Sequence, residues 1–561
     1  MKVVLIILIN IFISILLYAN KNIIGFKNTI LLNKEEQIFQ DRIIKIDKEK
    51  IIYCTGFINS VSSLDTFILQ PQNNNFKSIC NVQLDSFKNV IKFFKIAEGP
   101  NISFFNFDID SSSNLYYSIT FSDSIIVSNN IFYSKGGTDI VLVKFCNQTL
   151  CKSIQIGGIY DEGIAQDALL VDKSENSIYI AGGYNLGATS NNLTSEIIIG
   201  IDTLKAKSGE RFFLKVDSSL NPIWAKSNYG GNNLRFYENS IYLLGSSRTL
   251  DTICGLPIYY PPAYITRFYV AKINKSGEGV WIKKIGQGQI DGLSQFKDLI
   301  ISNSNVYIAG EGSSNIETKF IFEGGTNLTG NASRDFFIAC YDTTGNFKWN
   351  TISNSPGDEG LNSLYADSIG NLYGVGNFNQ KMYFGSDSLS TKGNQSLFVC
   401  SFDSVGKYQF SIAAGGADID YGSAIAADNN GKIYIVGGVT SPECYFGNDT
   451  LHPPLGQSTM FVTTLDSVDI NQFPNAVSME NEYQFSIYPN PAKNKLIITS
   501  EREQDISVEI VNTLNQIVIA KDNYLDYNKF EIDISTLQSG LYFVILSSHN
   551  NRITRKVLIQ K

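Results

Sequence analysis

The chain has 561 residues, a formal charge of −8 and two histidines, His452 and His549. That excludes a multi-histidine metal centre and a Ser–His–Asp set in the main body. It also denies the chain the basic face that a nucleic-acid binder needs to neutralise phosphates. Length alone favours several domains, although repeat folds exceed the usual domain size, and 29 Tyr, 36 Phe and 45 Gly suit many strands joined by tight turns.

Lys2 is followed by an apolar run from Val3 to Leu17, broken only by Asn10 and Ser14, then by Tyr18-Ala19-Asn20 and a polar segment. A basic start, a short apolar core and a small residue before polar sequence predict a secretory signal peptide over 1–20. The run is shorter than the ~20 residues of a membrane span. No cysteine follows the expected cleavage point near Ala19, which argues against a lipoprotein anchor. No second apolar segment approaches spanning length, so no transmembrane segment is expected in the mature chain.

Asp167 to Gly183, DALLVDKSENSIYIAGG, reads as strand–turn–strand, and the unit recurs. Aligning the tyrosine of its second strand gives Tyr53, Tyr116, Tyr179, Tyr242, Tyr307, Tyr373 and Tyr434, at steps of 63, 63, 63, 65, 66 and 61 residues. Repeat three predicts strands at Ala168–Val171, Ile178–Gly182, Phe212–Val216 and Ile223–Lys226. The third strand commonly ends in Asp or Asn before a turn, and the fourth often carries an aromatic (Trp224, Trp281, Trp349). Near the start, Asn28–Leu32 (NTILL) is a strand without its own repeat, since Gln40-Asp41 already matches Gln166-Asp167. Repeat seven has FVTTLD (Phe461–Asp466) but no partner after it. A spare first strand and a missing last one predict ring closure, with the N-terminal strand completing the seventh blade. Four strands in each of seven repeats make an all-β, seven-bladed β-propeller over 21–466. The recurrent tyrosines are expected between blades. The recurrent turn acids Asp172, Asp217, Asp342 and Asp403 are expected to bond backbone, and the glycines to serve turns.

The pattern is clearest in SIGNLYGVGNF (Ser368–Phe378), YFGSDSLSTKG and LFVCSFDSVGKYQF. It resembles the seven-bladed propeller repeats of secreted bacterial proteins from about Asn28 to Asp466, with repeats one and four the weakest members. A polar linker is expected over 467–482, and then a small β-sandwich over 483–561. Tyr488-Pro489-Asn490-Pro491, Gly540-Leu541-Tyr542 and the terminal strand Arg555–Lys561, with Lys556, occur in order up to the chain end. This region closely resembles the type A C-terminal sorting domain of the Bacteroidota type IX secretion system. The resemblance implies the type IX machinery as partner, passage across the outer membrane, removal of the domain, and then release or attachment at the cell surface.

Chemistry is sparse. Recurring acids sit at turns, and Arg211, Arg235, Arg248, Arg267 and Arg334 are scattered with no sequence reason to converge, so no catalytic set, cofactor or metal site is expected. Cys146 and Cys151 flank a hairpin turn (CNQTLC) and can bridge it, and Cys54 and Cys80 fall within one repeat. Leu256 to Tyr269, LPIYYPPAYITRFY, offers Tyr259, Tyr260 and Tyr264 as ligand-contact candidates, because exposed aromatics stack on sugar rings or anchor a partner. Asp202-Thr203-Leu204, Asp387-Ser388-Leu389 and Asp449-Thr450-Leu451 resemble the O-glycosylation triplet of Bacteroidota exported proteins, and turn chemistry explains them equally well. The reading is an exported binding or adhesion protein with a carbohydrate or protein ligand. A polysaccharide hydrolase or lyase and a structural surface protein are the alternatives.

Overall fold

The computed structural model describes residues 23–31, 40–58, 62–64, 67–69, 73, 75–185, 194–199, 202–207, 211–227, 231–247, 252–257, 265–289, 295–312, 322–325, 328, 334–353, 355–384, 387–454, 458–468, 485–489, 491–500, 505–512, 517–524, 529–548 and 551–561. The chain divides into two compact regions, Met1–Phe473 and Pro474–Lys561. Among the described residues there is no helix; the regular structure is β throughout.

In the first region each of repeats one to six forms four antiparallel strands in chain order. Repeat three runs Asp161–Asp172, Ser177–Asn185, Arg211–Val216 and Pro222–Ser227, and repeat five runs Gln295–Ser302, Asn305–Gly312, Asp335–Asp342 and Phe347–Ile352. The sheet of repeat seven holds Asp420–Ala427, Ile433–Val439 and Thr459–Val468, and its fourth strand is Ile23–Leu31 from the other end of the region. Ile30 pairs with Val462 and Leu31 with Phe461, and the hydroxyls of Thr29 and Thr463 lie 2.8 Å apart. The strand starts earlier than Asn28, because a register shift between Lys27 and Ile30 lets pairing continue back to Ile23.

The turns are built by one device. Asp342 Oδ1 accepts the backbone N–H groups of Thr344 and Asn346, both at 2.9 Å, and Oδ2 accepts Asn346 Nδ2 at 2.9 Å. Asp217, Asp403, Asp110 and Asp428 bond the N–H groups two and four residues on in the same way. Gly345 N then closes the turn on Asp342 O with φ +88°, a left-handed value that glycine adopts without Cβ strain. Ser113, Lys88 and Leu220 occupy that place elsewhere at φ +59°, +70° and +62° and carry the strain.

No repeat encloses its own core. One apolar cluster joins Tyr116 and Leu142 of repeat two to Ile178 and Phe212 of repeat three. Another joins Tyr242 and Val270 of repeat four to Phe296 and Phe337 of repeat five. A third joins Ile52, Cys54 and Val82 of repeat one to Tyr434, Val436 and Met460 of repeat seven. Six of the recurring tyrosines are buried in layers of this kind, Tyr373 is partly buried, and several of their hydroxyls reach the next repeat. Tyr242 OH, Lys272 Nζ and Trp281 Nε1 all donate to Thr343 O, at 3.4, 3.2 and 3.2 Å. The first strands also pack in succession. Asn101–Ile109 lies on Asp161–Asp172, then follow Asn232–Tyr237, Gln295–Ser302, Glu359–Ala366, Asp420–Ala427 and Gln40–Ile46, which returns to Asn101–Ile109. This is a propeller arrangement.

The outer edges are covered by the neighbouring repeat. Strand Leu115–Val127 reaches back so that Ile126 pairs with Glu98, and the ribbon strand Thr194–Ile199 pairs Ile199 with Ile156 and Ile198 with Gly157. Isolated bridges Ile285–Phe322 and Gly415–Tyr445 repeat the connection farther on. Each hides part of an otherwise open outer strand.

In the second region, Phe485–Tyr488, Lys495–Ser500 and Lys529–Asp533 form one sheet, and Ile517–Tyr524, Asp505–Asn512, Gly540–Ser548 and Asn551–Ile559 the other. Leu496, Ile498, Val508, Ile510, Ile532, Val544 and Val557 fill the space between them.

Burial works to raise the Asp342 carboxyl, but the donors of Thr344 and Asn346 outweigh it and hold it at about 2. A folded value below the unfolded one contributes stability above about pH 4 that is lost as pH falls towards 2. Asp342→Ala is therefore expected to cost about 1 kcal/mol at pH 7, allowing for solvent screening. Urea denaturation at pH 7 and pH 2.5 checks this, and the gap to the wild type should narrow at the lower pH.

Candidate functional site

Every first strand is bulged against its second strand. The register shifts fall at Gln40/Ile43, Ile102/Phe104, Ile164/Leu169, Asn232/Arg235, Phe296/Asp298, Leu361/Ser363 and Gly422/Ala424. A bulge re-aims the side chains beside it. Here the re-aimed residues carry the charges of the inner strands. Lys45, Asp108 and Arg235 all stand opposite a recurring tyrosine, namely Tyr53, Tyr116 and Tyr242.

Arg235 is the centre of the group. One guanidinium nitrogen lies 2.5 Å from Asp167 Oδ2 and 2.6 Å from Asp298 Oδ1, so a single cation joins repeats three, four and five. Lys45 Nζ lies 3.5 Å from Asp108 Oδ1, and Asp108 Oδ2 accepts Val171 N at 2.9 Å. Asp298 is saturated: Oδ1 also accepts Leu299 N at 2.8 Å, while Oδ2 accepts Leu364 N at 2.8 Å and Ser363 Oγ at 3.1 Å. Amides extend the chain of contacts. Asn106 Nδ2 donates to Ala165 O, Asn233 Nδ2 to Lys297 O and Asn362 Nδ2 to Gly422 O, at 2.9, 3.0 and 2.7 Å. Asp167 sits at φ +48°, with its N–H bonded to Asn106 Oδ1 at 2.9 Å.

The charges settle unequally. Burial opposes the Asp167 carboxylate, yet Arg235 and Lys45 hold it below the usual range. Burial pushes Asp298 up, against the pull of Arg235. Burial also opposes the guanidinium, and Asp167 and Asp298 more than compensate, keeping it charged. Among the described residues no group of three or more His, Cys, Asp or Glu side chains is placed to hold a metal.

The sequence candidates fall elsewhere. Tyr259, Tyr260 and Tyr264 lie outside the described residues. Cys146 and Cys151 are disulfide-bonded across the turn between the third and fourth strands of repeat two, whereas Cys54 and Cys80 are buried free thiols. Asp172 accepts Ser174 N at 2.9 Å and pairs with Lys275 at 2.6 Å; like Asp217, Asp342 and Asp403 it serves a turn. The aspartates of the three Asp-Ser/Thr-Leu triplets each open a short ribbon strand, at Asp202–Lys207, Asp387–Ser390 and Asp449–Leu451. Arg235 is a partner that residue type alone does not reveal, but Asp167 and Asp298 lie 68 and 63 residues from it, about one repeat each way.

In the second region the sorting motifs come together. Tyr488, Pro489 and Pro491 are exposed, Asn490 lies outside the described residues, and the Tyr488–Pro489 bond is cis. The next residue, Ala492, is buried and clamps the last strand: its N–H donates to Leu558 O and its carbonyl accepts Gln560 N, both at 2.8 Å. Gly540, Leu541 and Tyr542 pair with Ile559, Leu558 and Val557, and Lys556 pairs with Phe543. The three separate motifs thus share one edge of the sandwich.

The chain is similar over 79% of its length to all of a subtype N10 neuraminidase-like protein of A/little yellow-shouldered bat/Guatemala/060/2010, at 7% identity and TM-score 0.32. It is similar over 95% of both chains to a glycoside hydrolase family 32 structure from Bifidobacterium adolescentis, at 8% identity and TM-score 0.21. Neither likeness is close enough to bear on chemistry. No curated protein matches the chain. Residues 486–560 match the family of secretion system C-terminal sorting domains. The second region therefore carries a type IX secretion sorting domain, and the chain is one directed to secretion.

Proposed function

We propose that the first region is a seven-bladed propeller that acts as a non-catalytic binding or adhesion module, delivered to the cell surface or released by the type IX machinery. Seven recurring tyrosines and the closed succession of first strands support the blade number. One observation carries the non-catalytic reading. Both oxygens of Asp298 are occupied by Arg235 and by donors of the chain itself, so this carboxyl cannot hand a proton to a substrate. The inner cluster works as cement between blades. Ligand contact then falls to the connections on the propeller faces, Tyr259, Tyr260 and Tyr264 among them, with a carbohydrate or protein as partner.

A hydrolase is the second reading. Two carboxyls pushed in opposite directions beside one arginine are the usual mark of an acid–base pair, and Asp167 and Asp298 are such a pair. A glycan and polysaccharide binding screen of the full chain, with products followed by mass, separates the two. The expected result is specific binding without product; turnover abolished in Asp167→Asn would establish the hydrolase instead.

Two variants test the rest. Arg235→Ala leaves the buried Asp298 and the partly buried Asp167 without their shared cation and is expected to lower the unfolding free energy by about 2–4 kcal/mol, measured by denaturant titration. A loss below about 1 kcal/mol would reject the cement role. Removal of residues 486–560 in a host with a type IX system is expected to leave the protein inside the cell, read by fractionation and immunoblot; unchanged delivery would overturn the sorting role.

A further inference from the structure

The second and third strands of repeat two, Leu115–Val127 and Asn130–Cys146, do not pair without interruption. Tyr133 pairs with Ser124 and Thr138 with Ser122, so the four residues Ser134–Gly137 loop out opposite Asp123 alone. The loop reaches the next repeat and clasps it. Gly137 N donates to Tyr160 O at 3.2 Å, Thr138 N to Asp161 Oδ1 at 3.0 Å and Thr138 Oγ1 to Glu162 O at 2.9 Å. At Gly136 a Cβ would stand 2.3 Å from the carbonyl carbon of Ile159, so the two segments touch backbone to backbone and only glycine fits.

Two acids lie beneath this clasp, and both are 0% exposed. Asp139 follows the loop on repeat two, and Glu162 lies at the start of the first strand of repeat three. Their carboxyls adjoin one short stretch of backbone. Asp139 Oδ2 fills the space where a Cβ on Gly157 would stand, and Glu162 Oε2 accepts Gly158 N at 2.9 Å. Asp139 has a donor on each oxygen, Lys135 N on Oδ1 at 3.2 Å and Gln155 Nε2 on Oδ2 at 2.6 Å. Glu162 Oε1 has none. Among the described residues neither carboxyl makes an ion pair. Asp420, at the corresponding place in repeat seven, shows what a buried carboxylate there requires. Gly416 N and Ser441 Oγ donate to its Oδ2, both at 2.6 Å, and Thr440 N and Ser441 N to its Oδ1 at 2.9 and 3.2 Å.

A buried carboxylate with an unserved oxygen, beside a second acid, is less stable than the neutral acid in the same place. We propose that Glu162 is carried as the neutral acid, its proton on Oε1, and that release of this proton to water opens the clasp between repeats two and three. Lys135, Gly136 and Gly137 are exposed, so the proton has a short path to solvent. Burial raises the Glu162 carboxyl first, and the Gly158 N–H opposes it. Repulsion from Asp139 and Asp161 then outweighs the pull of Lys135, and the group titrates at about 7 instead of 4.5. Burial also pushes Asp139 up, against Gln155 and Lys135. An acid raised on folding contributes stability that is complete below about pH 4.5 and is lost as pH rises through about 7. Acid therefore closes the clasp and base opens it.

The test is hydrogen exchange of the full chain at pH 5.5 and pH 8.5, followed by mass over the peptide that carries Gly137 and Thr138 and expressed as protection relative to the unfolded chain. In the wild type that protection is expected to fall about tenfold or more between the two pH values. Glu162→Gln keeps an uncharged side chain of the same shape and is expected to hold the higher protection at both. The peptide that carries the Asp342 turn is the internal reference and should not change in this way in either protein. Should Glu162→Gln fail to fold, Asp139→Asn replaces it; with the neighbouring charge gone, most of the pH response is expected to disappear. Equal protection at the two pH values in the wild type, or a fall of the same size in the variant, overturns the proposal.

Discussion

Tyr242 packs against Phe296 and Phe337 of the following repeat, and Ile52 of the first repeat packs against Val436 of the last, so the apolar layers of this protein lie between repeats. A four-stranded sheet with both faces apolar has no stable existence alone in water. Stacking it against two neighbours buries both faces at once. An open stack would always leave two faces bare; a closed one leaves none. Closure is thus the constraint from which the turn chemistry, the bulges and the charged inner strands follow.

The polar groups are arranged to agree with that constraint. Lysine and tyrosine side chains of one repeat reach carbonyls in the turns of the next. Lys144 meets Ser218 O at 2.9 Å and Lys226 meets Ser276 O at 2.6 Å, while Trp349 meets Ser404 O at 3.2 Å. The side chain that shapes each turn, Asp217, Asn274 or Asp403, fixes the position of that carbonyl, so local turn chemistry sets the docking of whole sheets. At the inner strands Arg235 holds three repeats at one point. A buried ion pair adds little net stability against an apolar equivalent, but it tolerates few alternative registers.

Much of the fold was legible because period and turn signals are local. The tyrosine spacing located the second strands, and the Asp or Asn at the end of a third strand located the turns. The sorting motifs, though far apart in the sequence, matched a known pattern and prove to share one sandwich edge. The charged cluster was not legible in the same way. Arg235, Asp167 and Asp298 belong to three repeats, and nothing in the residues flanking them indicates that bulges turn them towards one another. The ligand-contact tyrosines in Leu256 to Tyr269 rest on the sequence alone.

The pairing of Ile23–Leu31 with Thr459–Val468 has a consequence in time. The two strands are separated by more than four hundred residues, so the last sheet cannot form until nearly the whole first region has been synthesised or has crossed a membrane. Contacts of such long range form late and slowly, because the loop that closes them is long. Until then the bare faces of the first and last sheets stay available to other chains, the condition under which strand-rich intermediates aggregate. The sorting domain follows the closing strand in the sequence, so a chain that presents it from a ribosome has already made every strand the ring requires.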